Sequence, residues 1–264
     1  MSERTAPFRR HLSDSFREAL RNTQWVSQYL NDKELFPAIR DGYVSVYYKG
    51  NSLLKLKNAP NDEIAGKVHY KYLLDPDVDD QYISVDDIQF KLPVIDPRSD
   101  GAVCKLKKAS RPYVGVEKEG VHDIIMNNAD RVIDIEIAFS SRGKQNRIDL
   151  CALMEEDGKV RLRFYECKHF SNSEIRAERE PKVVGQIKRY GKEIASRCDE
   201  IRDAYYKAFD VLTREPFFHP ARELMQRVCA SRNLEVDPEV YLIIFGFDAA
   251  QRDDFKPKHG AKLE

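Results

Sequence analysis

Residues 147–167 constrain the fold of this chain more than any other segment. Two strand-like runs, RIDLCALM at 147–154 and VRLRFYEC at 160–167, are joined by Glu-Glu-Asp-Gly at 155–158. An acidic residue followed by glycine between two such runs is typical of the tight turn of a β-hairpin. The segment therefore predicts two adjacent antiparallel strands.

The hairpin lies within a regular succession of predicted elements. Apolar residues at helical spacing precede it, Pro181 suits the first turn of a later helix, and the apolar run at 239–247 is typical of a strand buried on both faces. In chain order, the predicted elements are a helix from about 113 to 127, strands at 131–139, 147–154 and 160–167, helices at 181–213 and 219–232, and a strand at 239–247. The core order is helix, three strands, helix, strand.

The first part of the chain predicts a separate α+β unit. Its predicted elements are one or two helices over 8–30, a short helix over 33–40, a hairpin around Lys49-Gly50-Asn51, and strands at 67–74 and 88–95. We therefore expect two domains in a chain of α/β (α+β) class. An N-terminal α+β unit over 1–112 would bind substrate or regulate, and a second domain would cover 113–264.

Composition excludes several classes of protein. The chain has 264 residues, of which 42% are hydrophobic, so it can bury a substantial core and is not mainly disordered. No apolar run approaches the roughly 18 residues that a membrane span needs, and the first residues lack the apolar core of a signal peptide. The five cysteines lack the spacing of a zinc site or a disulfide framework. We therefore expect a soluble, cytoplasmic protein with reduced cysteines and no membrane partner.

Charged residues in the predicted hairpin carry the chemical prediction. Asp149 lies in the first strand, and Glu166 and Lys168 lie at the end of the second. Because strand side chains alternate between faces, Glu166 and Lys168 share a face, and hairpin pairing can bring Asp149 beside them. Two buried carboxylates repel each other and lose hydration, so a divalent cation such as Mg²⁺ would stabilise the pair.

Such a set suits the hydrolysis of a phosphodiester bond. A cation held by the two carboxylates would lower the pKa of a bound water, and Lys168 would orient or deprotonate that water. Other acid-x-Lys triplets occur in turn, pre-helix and tail sequence, but only Glu166 and Lys168 end an apolar strand. The alternative is an ordinary ion-pair network of the two carboxylates with Lys168, Arg147 and Arg163.

The segment 113–247 resembles the PD-(D/E)xK nuclease superfamily, whose restriction-endonuclease-like core has the same order of elements. The resemblance rests on RIDL and FYECK in the hairpin and on GQIKRY in the following helix. It implies that Asp149 and Glu166 bind Mg²⁺ or Mn²⁺ and that Lys168 assists the attacking water. Gln186 and Tyr190 match a QxxxY motif of this family and share one helix face, which would aim both at the site. Ordinary helix packing is the alternative for this pair.

The resemblance also implies a third metal-binding carboxylate. Glu119, on the helix before the first strand, is the best match, and Glu117 and Glu136 are the alternatives. A helix-start carboxylate that is simply solvated is the competing interpretation of Glu119. The polar insertion at 169–180 departs from the family pattern and predicts a mobile or substrate-contacting loop.

Charge is balanced over the whole chain but not locally. The 44 basic residues equal the 44 acidic ones, yet 142–192 holds 13 lysines and arginines against 8 acids, and 75–100 holds 8 aspartates against two basic residues. Basic side chains near the site would bind phosphates without reading sequence. The candidate nucleic-acid-binding residues are Arg142, Lys144, Arg147, Lys182, Lys188 and Arg189. A solvated face of mixed charge is the alternative for each of them.

The sequence thus predicts a Mg²⁺- or Mn²⁺-dependent nuclease that acts on DNA, the dominant substrate of the family it resembles. Restriction, antiviral defence and repair are the roles that such a resemblance implies. Duplex cleavage needs two active sites or two successive events, which is consistent with a homodimer. The alternative is a non-catalytic module that binds nucleic acid or a protein on the same fold. A third hypothesis is that the acidic segment 75–100 mimics nucleic acid and covers the basic region.

Overall fold

The chain forms a mixed α/β structure that divides into two compact units. The computed structural model describes residues 7–60, 63–74, 94–139, 147–176 and 180–263. These residues form two four-stranded sheets and eight α-helices, and none of the helices is long and apolar enough to cross a membrane. The N-terminal unit comprises Arg10–Gly115 and Val211–Phe218. The hairpin unit comprises the segment that ends at Arg9, Val116–Asp210 and His219–Glu264.

The N-terminal unit is built on an antiparallel sheet with strand order β1-β2-β3-β4. Its elements are α1 (Asp14–Asn22), α2 (Gln24–Leu30), β1 (Phe36–Ile39), β2 (Tyr43–Tyr48), β3 (Asn51–Asn58), β4 (Ile64–Lys67) and α3 (Ala102–Ser110). Lys49 and Gly50 both have positive φ, which is the backbone of the two-residue turn that joins twisted strands. The predicted hairpin at this position is confirmed.

Two expectations for this unit are wrong. The predicted helix over 33–40 is strand β1, whose residues pair with β2 and are all buried; its Pro37 is tolerated because β1 is an edge strand. The predicted strand at 67–74 is a 3-10 turn over Tyr70–Tyr72, where His69 accepts a hydrogen bond from the backbone of Lys71. Helix α3 lies in a stretch for which the sequence predicts no helix or strand. The strand predicted at 88–95 and the acidic segment lie largely outside the described residues.

The hairpin unit contains a mixed sheet with strand order β5-β6-β7-β8, in which β8 runs parallel to β7. Its elements are α4 (Val116–Asn127), β5 (Val132–Ala138), β6 (Arg147–Glu156), β7 (Lys159–His169), α5 (Lys182–Ala195), most of α6 (Cys198–Arg214), α7 (Arg222–Ser231), β8 (Leu234–Phe245) and α8 (Ala249–His259). Asp157 and Gly158 have positive φ at the tight turn between β6 and β7. The predicted hairpin and its preceding helix and strand are confirmed.

Two expectations for this unit require correction. The helix predicted over 181–213 is divided into α5 and α6, and Arg197 at the break forms ion pairs with Glu193 and Glu200 on its two sides. Strand β8 is half-buried along most of its length rather than buried on both faces, because it forms the edge of the sheet. Helix α8 was not predicted, although Asp248 and Gln251 form a reciprocal capping box at its start.

The buried side of the sheet is filled by large apolar side chains from the strands and from α6. Ile137, Ile148 and Leu162 are fully buried, and the ring of Phe164 lies 6.4 Å from the ring of Tyr205. Cys151 and Cys167 are also buried in the strands, and none of the five cysteines, all of which lie in the described ranges, is part of a disulfide. This packing holds the hairpin strands in a fixed register, which positions the polar groups at their ends.

Helix α4 packs closely on β8 through Gly120. A Cβ atom on Gly120 would lie 2.0 Å from the ring of Phe245. We predict that Gly120→Ala lowers the free energy of unfolding by about 1–3 kcal/mol through overpacking, although alanine is the better helix former. Chemical denaturation of the full chain measures this change.

Gly185→Ala in α5 is the matched control. Among the described residues, a Cβ at Gly185 would meet only the guanidinium of Arg189, at 3.7 Å, which is an ordinary contact. This variant should be as stable as the wild type or more stable by up to about 1 kcal/mol. Equal stabilisation by both substitutions would contradict the close packing of α4.

Candidate active site

The register of the hairpin places Asp149 opposite Glu166. Leu150 pairs with Tyr165, so Asp149 and Glu166 are the next residues of the two strands in that register. The backbone N–H of Cys167 donates a hydrogen bond of 2.7 Å to Oδ2 of Asp149. The two carboxylates predicted from the sequence are therefore brought together at one end of β6 and β7.

Glu166 is buried and only half of its carboxylate is hydrogen-bonded. The residue is 2% exposed, and its Oε1 accepts a hydrogen bond from Nε2 of Gln186 at 2.8 Å and pairs with Nζ of Lys168 at 3.0 Å. Its Oε2 is buried and has no hydrogen-bond partner among the described residues. A buried polar atom without a partner costs about 1–3 kcal/mol, so this oxygen is available to a proton or a cation.

Both carboxyl groups resist ionisation in this environment. Burial, and then the charge of Glu166, raises the pKa of Asp149 well above its ordinary value, although the Cys167 N–H bond opposes this shift. Burial also raises the pKa of Glu166, although Lys168 and Gln186 act in the opposite direction. A divalent cation would favour the ionised forms of both groups. These residues therefore fit the carboxylate ligands that Mg²⁺ or Mn²⁺ uses.

Lys168 is a buried ammonium with two acidic partners. Its Nζ lies 3.0 Å from Oε1 of Glu166 and 3.0 Å from Oε2 of Glu174. Burial lowers the pKa of Lys168, but the attraction of the two carboxylates outweighs burial and raises the pKa above its ordinary value. The raised pKa favours the ammonium form, in which Lys168 can donate hydrogen bonds to a water or a phosphate oxygen.

Helix α5 supplies the other predicted side chains. Gln186 bridges the site, because its Nε2 contacts Glu166 at 2.8 Å and the hydroxyl of Tyr190 at 3.2 Å. The Tyr190 hydroxyl donates to the backbone oxygen of Arg147 at 3.1 Å. Burial raises the pKa of Tyr190 to about 12, so its proton stays on the hydroxyl at neutral pH. The polar ends of both side chains thus connect α5 to the hairpin.

In the part of the chain that the structure describes, none of the three candidate carboxylates completes a metal-binding cluster with Asp149 and Glu166. Within the described ranges, no group of three histidine, cysteine, aspartate or glutamate side chains is placed to hold a metal ion. Glu119 is exposed on α4. Glu117 instead accepts hydrogen bonds from the backbone of His169 at 3.3 Å and from Nδ2 of Asn172 at 2.7 Å.

Of the three candidates for a third carboxylate, Glu136 is the one that the strand register places beside Asp149. The pairs Ile135–Leu150 and Ile137–Ile148 on either side place Glu136 opposite Asp149, and its charge contributes to the raised pKa of Asp149. Its φ of +52° is unusual within a strand and is a local strain. Its carboxylate forms an ion pair of 3.1 Å with Arg147.

The ion-pair alternative applies to some of these residues and not to others. Arg163 pairs with Glu156 at 2.7 Å and with Asp237 at 3.1 Å, so it belongs to a different network. Arg147 pairs with Glu136, and Lys168 pairs with Glu166 as this alternative predicts. That network leaves Oε2 of Glu166 without a partner among the described residues.

The candidate nucleic-acid-binding residues fall into three groups. Arg142 and Lys144 lie outside the described residues. Arg147 and Lys188 form ion pairs, and the partner of Lys188 is Glu180 at 2.9 Å. Lys182 and Arg189 are exposed on α5 and have no ion-pair partner within the described part of the chain. The last two are the basic groups best placed to meet an external anion.

Glu174 is a site residue that sequence reasoning missed. It lies in the predicted polar insertion, in a 3-10 turn over Ser173–Ile175. The Asn-x-Glu spacing was the available signal, because Oδ1 of Asn172 accepts a hydrogen bond of 2.9 Å from the backbone N–H of Glu174. The described part of the insertion, up to Arg176, thus contains a hydrogen-bonded turn that brings the Glu174 carboxylate back to Lys168.

Comparison of the chain with family models, with curated proteins and with solved structures finds no match.

We predict that Asp149→Asn stabilises the folded chain at neutral pH. The amide oxygen can still accept the Cys167 N–H bond, while the charge that burial disfavours is removed. Because the folded pKa of Asp149 is raised, its contribution to stability is fully present below about pH 4 and is lost as the pH rises through the folded pKa. The advantage of Asp149→Asn should therefore grow from about pH 4 upward.

Denaturant unfolding of both proteins across this pH range in the presence of a chelator measures the difference. Asp130→Asn is a suitable control, because Asp130 is exposed and pairs with Arg131 on the surface. An advantage of Asp149→Asn that is constant with pH would contradict the raised pKa of Asp149.

Proposed function

We propose that the chain is a Mg²⁺- or Mn²⁺-dependent nuclease of the PD-(D/E)xK type, with a restriction-endonuclease-like core, that hydrolyses phosphodiester bonds in DNA. The observation that carries the proposal is the buried Oε2 of Glu166, which has no partner within the described residues and lies on the carboxylate opposite Asp149. Two adjacent carboxylates, one with a free acceptor oxygen, suit a divalent cation, and an adjacent ammonium can donate to a water or a phosphate oxygen during metal-assisted hydrolysis.

Each side chain has a definite role in this proposal. Asp149 and Glu166 would hold the cation, which would lower the pKa of the attacking water and neutralise charge on the phosphate. Lys168, as an ammonium, would donate hydrogen bonds to that water or to a phosphate oxygen. Gln186 would fix the orientation of Glu166, and Tyr190 would fix Gln186. Such fixed donors need no reorganisation during the reaction.

The order of elements in the hairpin unit supports the proposed core. Helix α4 precedes three antiparallel strands, and β8 returns parallel to β7 after the helices. Lys182 and Arg189 offer two exposed cations on the helix that carries Gln186. Contacts of this kind bind the phosphate backbone without reading sequence, which suits a nuclease of broad specificity.

The second candidate is a non-catalytic module that binds nucleic acid or a protein. One observation favours it: Lys168 already pairs with Glu166, so the site has partial charge balance without a cation. Calorimetric titration with Mn²⁺ separates the two candidates. Uptake that Asp149→Asn abolishes supports the nuclease, and the absence of such uptake supports the binding module.

We predict that Asp149→Asn, Glu166→Gln and Lys168→Ala each lower the rate of DNA cleavage by about 100-fold or more, because each removes a group from the reacting centre. The assay follows single-stranded and double-stranded DNA with Mg²⁺ or Mn²⁺. Cleavage that survives all three substitutions would exclude the proposed site.

Glu155→Gln is the matched control for these variants. Glu155 lies on the same hairpin at the opposite end of β6, where it is exposed and pairs with Arg227 at 2.8 Å. The substitution removes one carboxylate of the same chemistry without changing a residue of the site. Its cleavage rate should stay within about twofold of the wild type, as expected for a surface ion pair of small energy.

A further inference from the structure

We propose that Glu174 is a positioning residue for Lys168 and that it holds the Lys168 ammonium in the site when a divalent cation occupies Glu166. The inference rests on the proposed function, because the cation belongs to that proposal. The polar insertion after β7 would thus supply a second carboxylate for Lys168, which neither the hairpin nor α5 supplies.

The contacts of Lys168 place Glu174 in this role. Lys168 is 8% exposed, and its ion-pair distances to Oε1 of Glu166 and to Oε2 of Glu174 are equal at 3.0 Å. Glu174 itself is 40% exposed at its side chain. An ion pair between two exposed groups contributes little, but here one partner is desolvated, so the loss of its counter-charge is costly.

The turn that carries Glu174 is fixed from several sides. Asn172 caps it by accepting the N–H of Glu174, and Nδ2 of Asn172 donates to Glu117 of α4 at 2.7 Å. The guanidinium of Arg176 donates to the backbone oxygens of Phe170 and Asn172 and lies over the Phe170 ring. These bonds hold the Glu174 carboxylate where it can reach the end of β7.

Competition for Glu166 explains why a second carboxylate is needed. A divalent cation at Glu166 would repel the ammonium that now pairs with the same carboxylate. Without Glu174, Lys168 would then be a buried cation that shares its remaining counter-charges with the divalent cation, which is an unfavourable state. Glu174 offers the ammonium a partner that the cation does not use. Uptake of the cation and the presence of Glu174 are therefore coupled through Lys168.

Calorimetric titration of the full chain with Mn²⁺ alone measures this coupling. We predict that Glu174→Gln weakens Mn²⁺ binding by about 10-fold, the usual effect of removing a residue that supports the ligands of a metal. Glu180→Gln, which removes a carboxylate paired with the exposed Lys188 near the start of α5, should change the affinity by less than about twofold. Glu174→Asp should recover part of the loss.

A double-mutant cycle shows whether Glu174 acts through Lys168. In a Lys168→Met background, Glu174→Gln should produce little further change in Mn²⁺ affinity, because the ammonium that it positions is gone. An equal loss in both backgrounds would mean that Glu174 acts on the cation directly, and unchanged affinity in the single variant would mean that it has no role. Either result would overturn the inference.

A metal-free measurement separates this inference from the proposed function. The NMR signal of the Lys168 ammonium should be resolved in the wild type, where two carboxylates hold it, and should broaden or disappear in Glu174→Gln. Persistence of the signal in that variant would overturn the role of Glu174, whatever the metal does. If the wild type takes up no Mn²⁺ while the signal still depends on Glu174, the failure lies with the proposed function and with the coupling to the cation.

Discussion

Two opposed carboxylates at one end of a β-hairpin, one buried and one half-buried, are the constraint on which the rest of the site depends. Asp149 and Glu166 face each other because Leu150 pairs with Tyr165, and the packed apolar residues of β6 and β7 do not allow a shift of register. The groups around the pair act to make this unfavourable burial tolerable. The Cys167 N–H and Gln186 supply hydrogen bonds, and Lys168 supplies a positive charge.

The parts that could be predicted from the sequence depend on local patterns. Alternation of apolar residues and a turn with two left-handed positions specify the hairpin, and alternation alone places Glu166 and Lys168 on one face. Gln186 and Tyr190 lie one helical turn apart, so their common face follows from the helix. The hydrogen-bond partners of Gln186 and Tyr190 could not be inferred in the same way, because they depend on where α5 packs against the hairpin.

The parts that could not be predicted depend on tertiary context. Strand β1 contains a proline, so its own sequence does not indicate a strand. Its strand conformation depends on pairing with β2. Strand β8 is strongly apolar, yet its place at the sheet edge, rather than its composition, sets its burial. The role of Glu174 depends on a turn that brings it back to a residue six positions earlier. The strained φ of Glu136 has no sequence signature of its own.

The hydrogen bonds of Glu117 have a consequence for how activity data on such a site are interpreted. This carboxylate holds Asn172 and the backbone of His169, and Asn172 in turn caps the turn of Glu174. Loss of Glu117 would thus reach Lys168 through three successive contacts, although no residue that meets substrate is itself substituted. A screen that measures cleavage alone would therefore group Glu117 with Asp149. Only a measurement of the turn itself would distinguish Glu117, which supports the turn, from Asp149, which is proposed to hold the cation.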